Sequence, residues 1–479
     1  MEEFRKEEDS LGPVDVPREA YFGSFTARAK ENFQFTGEST GRELIEALGS
    51  IKKAAARTNE ALGNLEEEKA QAIRTAAEEV REGKFDEEFV LDPIQAGAGT
   101  PVHMNANEVI ANRATEILGG EKGEYLVHPN DHVNMGQSSN NVVPTAVRLA
   151  ALDLAEGTLR EAESLREAFR EKGEEFSDLL KVGRTHLQDA VPVTLGQEFK
   201  AYGELVGSGK RRIEQARKEL LQVGLGGNAV GTGINTEKDF RERIVGALGE
   251  VVDRELIPAR DPLAITQSMS VFAHFSGAMR ALSTDLIKIA DDLALLSSGP
   301  KAGLAEIELP EVEPGSSIMP GKVNPSVVEA LKMICLQVLG NDETVSLAAS
   351  EGDLELNVTA PLIARNIFSS LSLLKEGMKT LRRLCIEGIR ANEDKLAKSF
   401  RESTATATAL SPYIGYDRTA QAVDQALEEK KSVKRVVAEK GWMKESELDR
   451  ILEGERLTTP SGVDRQLQKR VKARINEEG

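Results

Sequence analysis

Six stretches of this chain repeat apolar residues at three- and four-residue spacing, and that periodicity limits the fold more than any other feature. They run over about 141–177, 194–221, 236–252, 263–298, 325–350 and 359–391. The first contains LAALDLAEGTLREAESLREAFREKGEEF. Several exceed the length of an ordinary globular helix, which predicts an all-α protein with an elongated central bundle. Aromatic residues are only 4% of the chain, so the core is built mainly from Ala, Leu and Val. That composition suits packed helices better than a β-sandwich or barrel. Helices this long cannot cover their apolar surface within one thin bundle, so association between chains is expected.

With 479 residues the chain has room for two or three domains. Residues 1–138 predict an N-terminal, mostly helical domain. It begins irregularly, with turns at Gly12-Pro13 and Pro17, and continues with helix over 41–82, broken at Gly63. A loop over 92–102, a helix from Met104 to Leu118 and a polar loop over 119–137 follow. Residues 139–394 hold the long helices. Residues 395–479, opened by SPYIGYDR, predict a small C-terminal helical domain.

Lys and Arg number 61 against 79 Asp and Glu, so the net charge is 61 − 79 = −18. No basic stripe suits nucleic acid. No apolar run approaches the ~20 residues that span a bilayer. The N-terminus, MEEFRKEEDS, has no apolar signal region. Cys335 and Cys385 lie in helical stretches and read as core thiols in a reducing compartment. These features predict a cytoplasmic protein. If its ligand is an anion, the fold must create local positive potential within an acidic body.

Four polar segments sit before expected helix starts: Ala98-Gly99-Thr100, Ser138-Ser139-Asn140, Thr185-His186 and Gly315 to Asn324. Taken singly, each reads as helix capping. Thr194 with Gln197 fits a capping box, and Asn324 before Pro325 fits an N-cap with proline at the first helical position. Taken together, helix N-termini converging on one spot would hold a small dianion. Lys322 would add a full charge.

The segment GSSIMPGKVNP, 315–325, has two glycines, two prolines and the donors Ser316, Ser317, Lys322 and Asn324. His186 is one of five histidines and has Thr185 and Asp189 beside it. Glu329, just inside the helix after Pro325, is either a dipole-favoured surface group or a partner that raises the basicity of a histidine. Gly224-Leu-Gly226-Gly-Asn-Ala229 follows a helical run rather than a strand, so it is not read as a dinucleotide site. His128, Asp131 and His132 lack a third cluster at ligand spacing, so no metal is expected.

In this order, the segments resemble the fumarase/aspartase superfamily. The likeness rests on GSSIMPGKVNP and is carried along nearly the whole chain by LGPVDVPREAYFG, MNANEVIANRA, HPNDHVN, QSSN, RTHLQDAVPVTLGQEF, VGTGIN, SGPKAGL, LELNV and SPYIGYD. The resemblance implies three helical domains and a homotetramer. The central domains would build a twenty-helix core, with each active site drawn from three chains. It implies removal of a proton and a leaving group from adjacent carbons of a succinyl compound, without a cofactor. Ser316 would take the C3 proton. Lys322 and Asn324 would hold the carboxylate where charge develops. His186, paired with Glu329, would assist departure or addition of water. Thr100, Ser138, Ser139, Asn140, Thr185 and Ser317 would bind the dicarboxylate. Ala98, Gly99 and Val323 belong to the same binding set. His128, Pro129, Asn130 and Asp131 match an accessory dicarboxylate site.

Within the family, Gly321, Ser139, HPNDHVN and NRA resemble class II fumarate hydratases. Ala98 replaces their usual serine, Asn141 their usual aspartate, and LTTPSG resembles aspartases. Pro101-Val102-His103 matches neither group. Reversible hydration of fumarate to (S)-malate is the expected reaction, with deamination of aspartate as the alternative. A helical scaffold without activity is disfavoured, because Ser316, Lys322, Asn324, Thr185 and His186 are all present.

Overall fold

A computed structural model of the chain describes residues 3–477. The expected helices form with shifted boundaries; the stretch read over 359–391 is α-helical only to Leu384, and that read over 194–221 only to Ala216. The chain begins with a hairpin, β1 (Phe4–Asp9) and β2 (Gly12–Pro17), paired so that Glu7 faces Val14. α1 (Ser24–Asn32), α2 (Arg42–Ala61), α3 (Glu67–Arg81) and α4 (Thr100–Ile117) follow. The long helices are α5 (Ser139–Glu175), α6 (Leu195–Ala216), α9 (Ser270–Leu296), α10 (Ser326–Ser350) and α11 (Ala360–Leu384), with α7 (Phe240–Val252) and the short α8 (Pro262–Gln267) between α6 and α9. At 37 residues, α5 is about 55 Å long.

Three expectations change. The stretch 263–298 is two helices, because Asp261 caps the separate α8 through the N–H groups of Leu263 and Ala264, and α9 restarts at Ser270. The irregular N-terminal segment holds both a hairpin and α1. Residues 180–194 form a second hairpin, β3 (Leu180–Thr185) and β4 (Gln188–Thr194). The Thr194 capping box forms as expected: Thr194 Oγ1 accepts from the Gln197 N–H at 3.0 Å, and Gln197 Oε1 from the Thr194 N–H at 3.0 Å.

The chain divides into two compact units. Unit 1 comprises Met1–Glu161, Gly209–Thr284 and Met333–Glu376. Its core is mainly aliphatic, with Phe89, Phe240, Phe272 and Phe275 also buried in it, and α2 and α3 pack through small residues. A Cβ on Gly49 would lie 3.0 Å from the Ala77 carbonyl, so close approach of these helices depends on glycine there. The N-terminus of α1 is held by Glu108 of α4, whose carboxylate accepts the N–H groups of Gly23, Phe25 and Thr26 and the Thr26 hydroxyl.

Unit 2 comprises Ala162–Ser208, Asp285–Lys332 and Gly377–Gly479. It contains an aromatic cluster of Phe169, Phe176, Phe199 and Tyr202, with ring centroids 5.3–6.1 Å apart. Its last helices, between Glu393 and Glu477, share a core that includes Leu410, Val436, Leu448 and Val471. Cys335 of unit 1 and Cys385 of unit 2 are buried, and burial pushes both thiols up to about 12, which makes them inert packing groups. No described helix is long and apolar enough to cross a membrane.

Candidate active site

Unit 1 brings two of the four polar segments together. A short turn, Gly97–Gly99, leads into α4, and both Ala98 (φ 53°) and Gly99 (φ 81°) have left-handed backbone. A Cβ on Gly99 would lie 2.8 Å from Val143 Cγ1 of α5, so the two helix starts approach as closely as they do only with glycine there. Ala98 is buried, and its N–H donates to the Val358 carbonyl at 3.2 Å. Thr100 Oγ1 donates back to the Gly97 carbonyl at 2.9 Å.

Ser138 begins α5. Its carbonyl accepts from the N–H groups of Asn141 and Val142, and its hydroxyl from the Asn140 N–H at 3.3 Å. Ser138, Ser139 and Asn140 are half-buried at the positive end of this helix. Ser139 Oγ lies 2.8 Å from His103 Nδ1. Asn140 Nδ2 donates to the Ala229 carbonyl at 2.7 Å and Asn141 Nδ2 to the Asn228 carbonyl at 3.1 Å. The glycine-rich turn containing 224–229 therefore buttresses the start of α5. Asn141 is buried and turned into this buttress.

Unit 2 carries two further groups. Thr185 and His186 sit at the tip of the β3–β4 hairpin rather than at a helix start, since α6 begins only at Leu195. His186 (φ 54°) and Leu187 (φ 59°) form a two-residue turn with left-handed backbone at both positions, which matches the twist of a hairpin. The base of the hairpin is tied down by charge. Arg184 donates to Glu306 Oε1 at 2.6 Å, and Lys181 Nζ lies 2.9 Å from Glu306 Oε2 and 2.6 Å from Glu198. Burial works against the charge on Glu306, yet Arg184 and Lys181 hold its pKa below the ordinary value.

The second group is the 315–324 loop. The Ser316 N–H donates to the Lys322 carbonyl at 3.2 Å, which closes the loop on itself. A Cβ on Gly315 would collide with that carbonyl, so glycine is required. Ser316 Oγ accepts from the N–H groups of Ile318 at 3.3 Å and Met319 at 3.2 Å. Two amide donors on one hydroxyl oxygen favour its deprotonated form. Lys322 Nζ donates to Asn324 Oδ1, so that amide oxygen is held by the lysine rather than by the helix, and α10 starts at Ser326. Ser317, Lys322 and Val323 are exposed, as is Glu329 in the first turn of α10. Among the described residues no hydrogen bond or ion pair joins Glu329 to His186.

His128 caps a turn over Pro129–Val133, its Nδ1 accepting from the N–H groups of Asn130 and Asp131. Asn130 and Asp131 are exposed, and Pro129 is buried. His132 Nδ1 accepts from the His128 N–H at 2.8 Å, and Lys69 Nζ lies 3.5 Å from His132 Nε2. Burial, with Lys69 beside it, holds the His132 pKa below the ordinary value. Lys69 also pairs with Glu66 at 3.3 Å, and the Asp131 carboxylate lies 3.3 Å from His128 Nδ1, so this turn gathers charges of both signs. Sequence reasoning overlooked His103 and the Asn228-Ala229 carbonyls. The one available signal was the departure of Pro101-Val102-His103 from both groups of relatives.

Residues 12–340 match the Lyase family, and residues 407–459 match the fumarase C C-terminus family. An aspartate ammonia-lyase from Pseudomonas fluorescens is 46% identical over 95% of this chain and 96% of its own length. A class II fumarate hydratase from Brucella suis is 43% identical over 95% of this chain and 99% of its own length. The crystal structure of a fumarate lyase:delta crystallin from Brucella melitensis superposes with a TM-score of 0.93 at 45% identity, covering 96% of this chain and all of that one.

Proposed function

The chain belongs to the fumarase/aspartase superfamily of lyases, and from that premise we propose that it catalyses the reversible hydration of fumarate to (S)-malate. In the dehydration direction Ser316 Oγ takes the C3 proton, and the electron pair passes into the adjacent carboxylate as an aci-carboxylate. The C2–O bond then breaks, and a proton delivered from the His186 side makes the leaving hydroxyl water. The observation that carries this reading is the 315–324 loop. Its Ser316 oxygen is already the acceptor for two amide N–H groups. It also holds Lys322 as a cation for the developing charge. Each well-aimed donor to such charge is worth about 3 kcal/mol.

Thr100, Ser138, Ser139, Asn140, Thr185, Ser317 and Val323 bind the substrate carboxylates in this scheme, and Ala98 and Gly99 shape the wall of the site. Glu329 meets His186 from another copy of the chain in a homotetramer. The His128–Asp131 turn is the accessory dicarboxylate site. The enzyme works in the cytoplasm and needs no cofactor.

A second reading, release of ammonia from aspartate, is favoured by Ala98 in place of a serine and by the aspartate ammonia-lyase relatives at similar identity. Asn141 does not help to decide, because its side chain faces Asn228. Incubation of the purified protein with malate, and separately with aspartate, followed by the ultraviolet absorbance of fumarate, decides between them. Fumarate from malate supports hydration, and fumarate only from aspartate supports the second reading. Fumarate from neither removes both.

A further inference from the structure

Unit 1 buries a lysine that this scheme does not use. Lys52 lies on α2 in the apolar stripe of Leu48, Ile51 and Ala55 and is fully buried. Its nitrogen has three partners: Gln137 Oε1 at 2.8 Å, Asn134 Oδ1 at 3.2 Å and His103 Nε2 at 2.6 Å. The amide oxygens face it because the amide nitrogens are committed elsewhere. Gln137 Nε2 donates to the Val133 and Met135 carbonyls, and Asn134 Nδ2 to the Gln137 carbonyl. None of the three partners is an anion. Among the described residues, the one charged group acting on His103 is Lys52, and none is found acting on Lys52. Burial without a counterion disfavours charge on both groups and holds both pKa values well below the ordinary ones.

His103 passes this contact on, since its Nδ1 lies 2.8 Å from Ser139 Oγ. The row Lys52–His103–Ser139 has two self-consistent proton arrangements. With an ammonium on Lys52, three N–H groups satisfy both amide oxygens and His103 Nε2. The imidazole proton is then on Nδ1 and is donated to Ser139 Oγ, which leaves the Ser139 hydroxyl proton free to point away. With a neutral amine, two N–H groups satisfy the amide oxygens and the lone pair accepts from Nε2–H. Nδ1 is then an acceptor, and the Ser139 hydroxyl donates its hydrogen bond to it. Only the first arrangement offers an arriving anion a hydroxyl donor.

We propose that Lys52 and His103 are positioning residues for Ser139, and that a dicarboxylate docking at the start of α5 takes up one proton, which Lys52 stores while the Ser139 hydroxyl turns outward. This rests on the reading of Ser139 as a substrate-binding group. It supplies the acidic chain with a buried positive charge that is present when the dianion is.

The test is calorimetric titration of the full-length enzyme with succinate, an unreactive dicarboxylate, in Tris and in HEPES at one near-neutral pH. Heats that differ between the two buffers in the sense of proton uptake are expected, and equal heats overturn the proposal. His103→Asn keeps a donor and an acceptor but cannot relay a proton. Its proton uptake is expected to vanish, and its KM to rise about ten-fold, the size of a lost charge-assisted hydrogen bond. Its kcat is expected to fall far less, and the pH dependence of KM to flatten. Uptake retained in that variant, or an unchanged KM–pH profile, overturns the proposal. If the variant does not fold, neutron diffraction of wild-type crystals holding succinate decides instead. Deuterium on His103 Nδ1 is expected there, and a bare Nδ1 overturns the proposal. Ser139→Ala separates this from the reading beneath it. Unchanged succinate binding in that variant contradicts the binding role itself, whereas weakened binding with equal wild-type heats contradicts the relay alone.

Discussion

The Arg184 guanidinium donates to the Glu306 carboxylate at 2.6 Å, directly beneath the hairpin tip that carries Thr185 and His186. Glu306 is almost completely buried and also neutralises Lys181. Glu306→Ala leaves two cations without their shared partner. Removing one member of a buried ion pair costs about 3–5 kcal/mol. A fall of several degrees in the thermal unfolding midpoint is expected, with a larger loss of turnover than of assembly. An unchanged midpoint would show that the network does not hold the hairpin.

Gly99→Ala tests the junction between α4 and α5. The position has φ 81°, and the added methyl would sit 2.8 Å from Val143 Cγ1. Left-handed strain and overpacking together cost about 2–4 kcal/mol. The variant is expected to unfold at lower denaturant and to bind succinate more weakly, because Thr100 and Ser139 both lie at the displaced junction. Wild-type values for both quantities would contradict this account of the site.

Much of the helical fold is legible in the residues. α5 runs over Ser139–Glu175 against a reading of 141–177, because a 3.6-residue apolar repeat is a local property that each turn restates. The β3–β4 hairpin is not legible in the same way. Val182, Val191 and Val193 alternate over too few residues to stand out, and the turn residues His186 and Leu187 are not the usual glycine or asparagine. Thr185 and His186 therefore read as a helix start when they are a strand turn. The 315–325 loop is legible because glycines, prolines and donors crowd into one short segment. Lys52 is not, because one lysine in IKKAAA reads as solvated until the structure shows which of the two faces inward.

Glu447 gives a pH signature. Its carboxylate caps the Lys444 N–H and accepts both Arg474 nitrogens, at 2.7 and 2.9 Å. The Arg474 hydrogen bonds, opposed by partial burial, hold its pKa at about 2 against an ordinary 4.5. The folded-state pKa is lowered, so the stabilisation is fully present above about pH 5 and is lost as the pH falls toward about 2. Glu447→Gln is expected to lower unfolding stability by about 1–2 kcal/mol at neutral pH. The gap should close as wild type and variant are compared at successively lower pH. A gap that stays constant from neutral to acid would contradict the assignment.

The central claim is that Ser316 is the base, with its oxygen already receiving the N–H groups of Ile318 and Met319. The most direct measurement is the rate of fumarate release by Ser316→Ala beside wild type, with the assembly state checked on the same samples. A loss of about a thousand-fold or more with the wild-type assembly retained is the expected result, in line with removal of a group that acts in the transition state. Turnover within a few-fold of wild type would contradict the account.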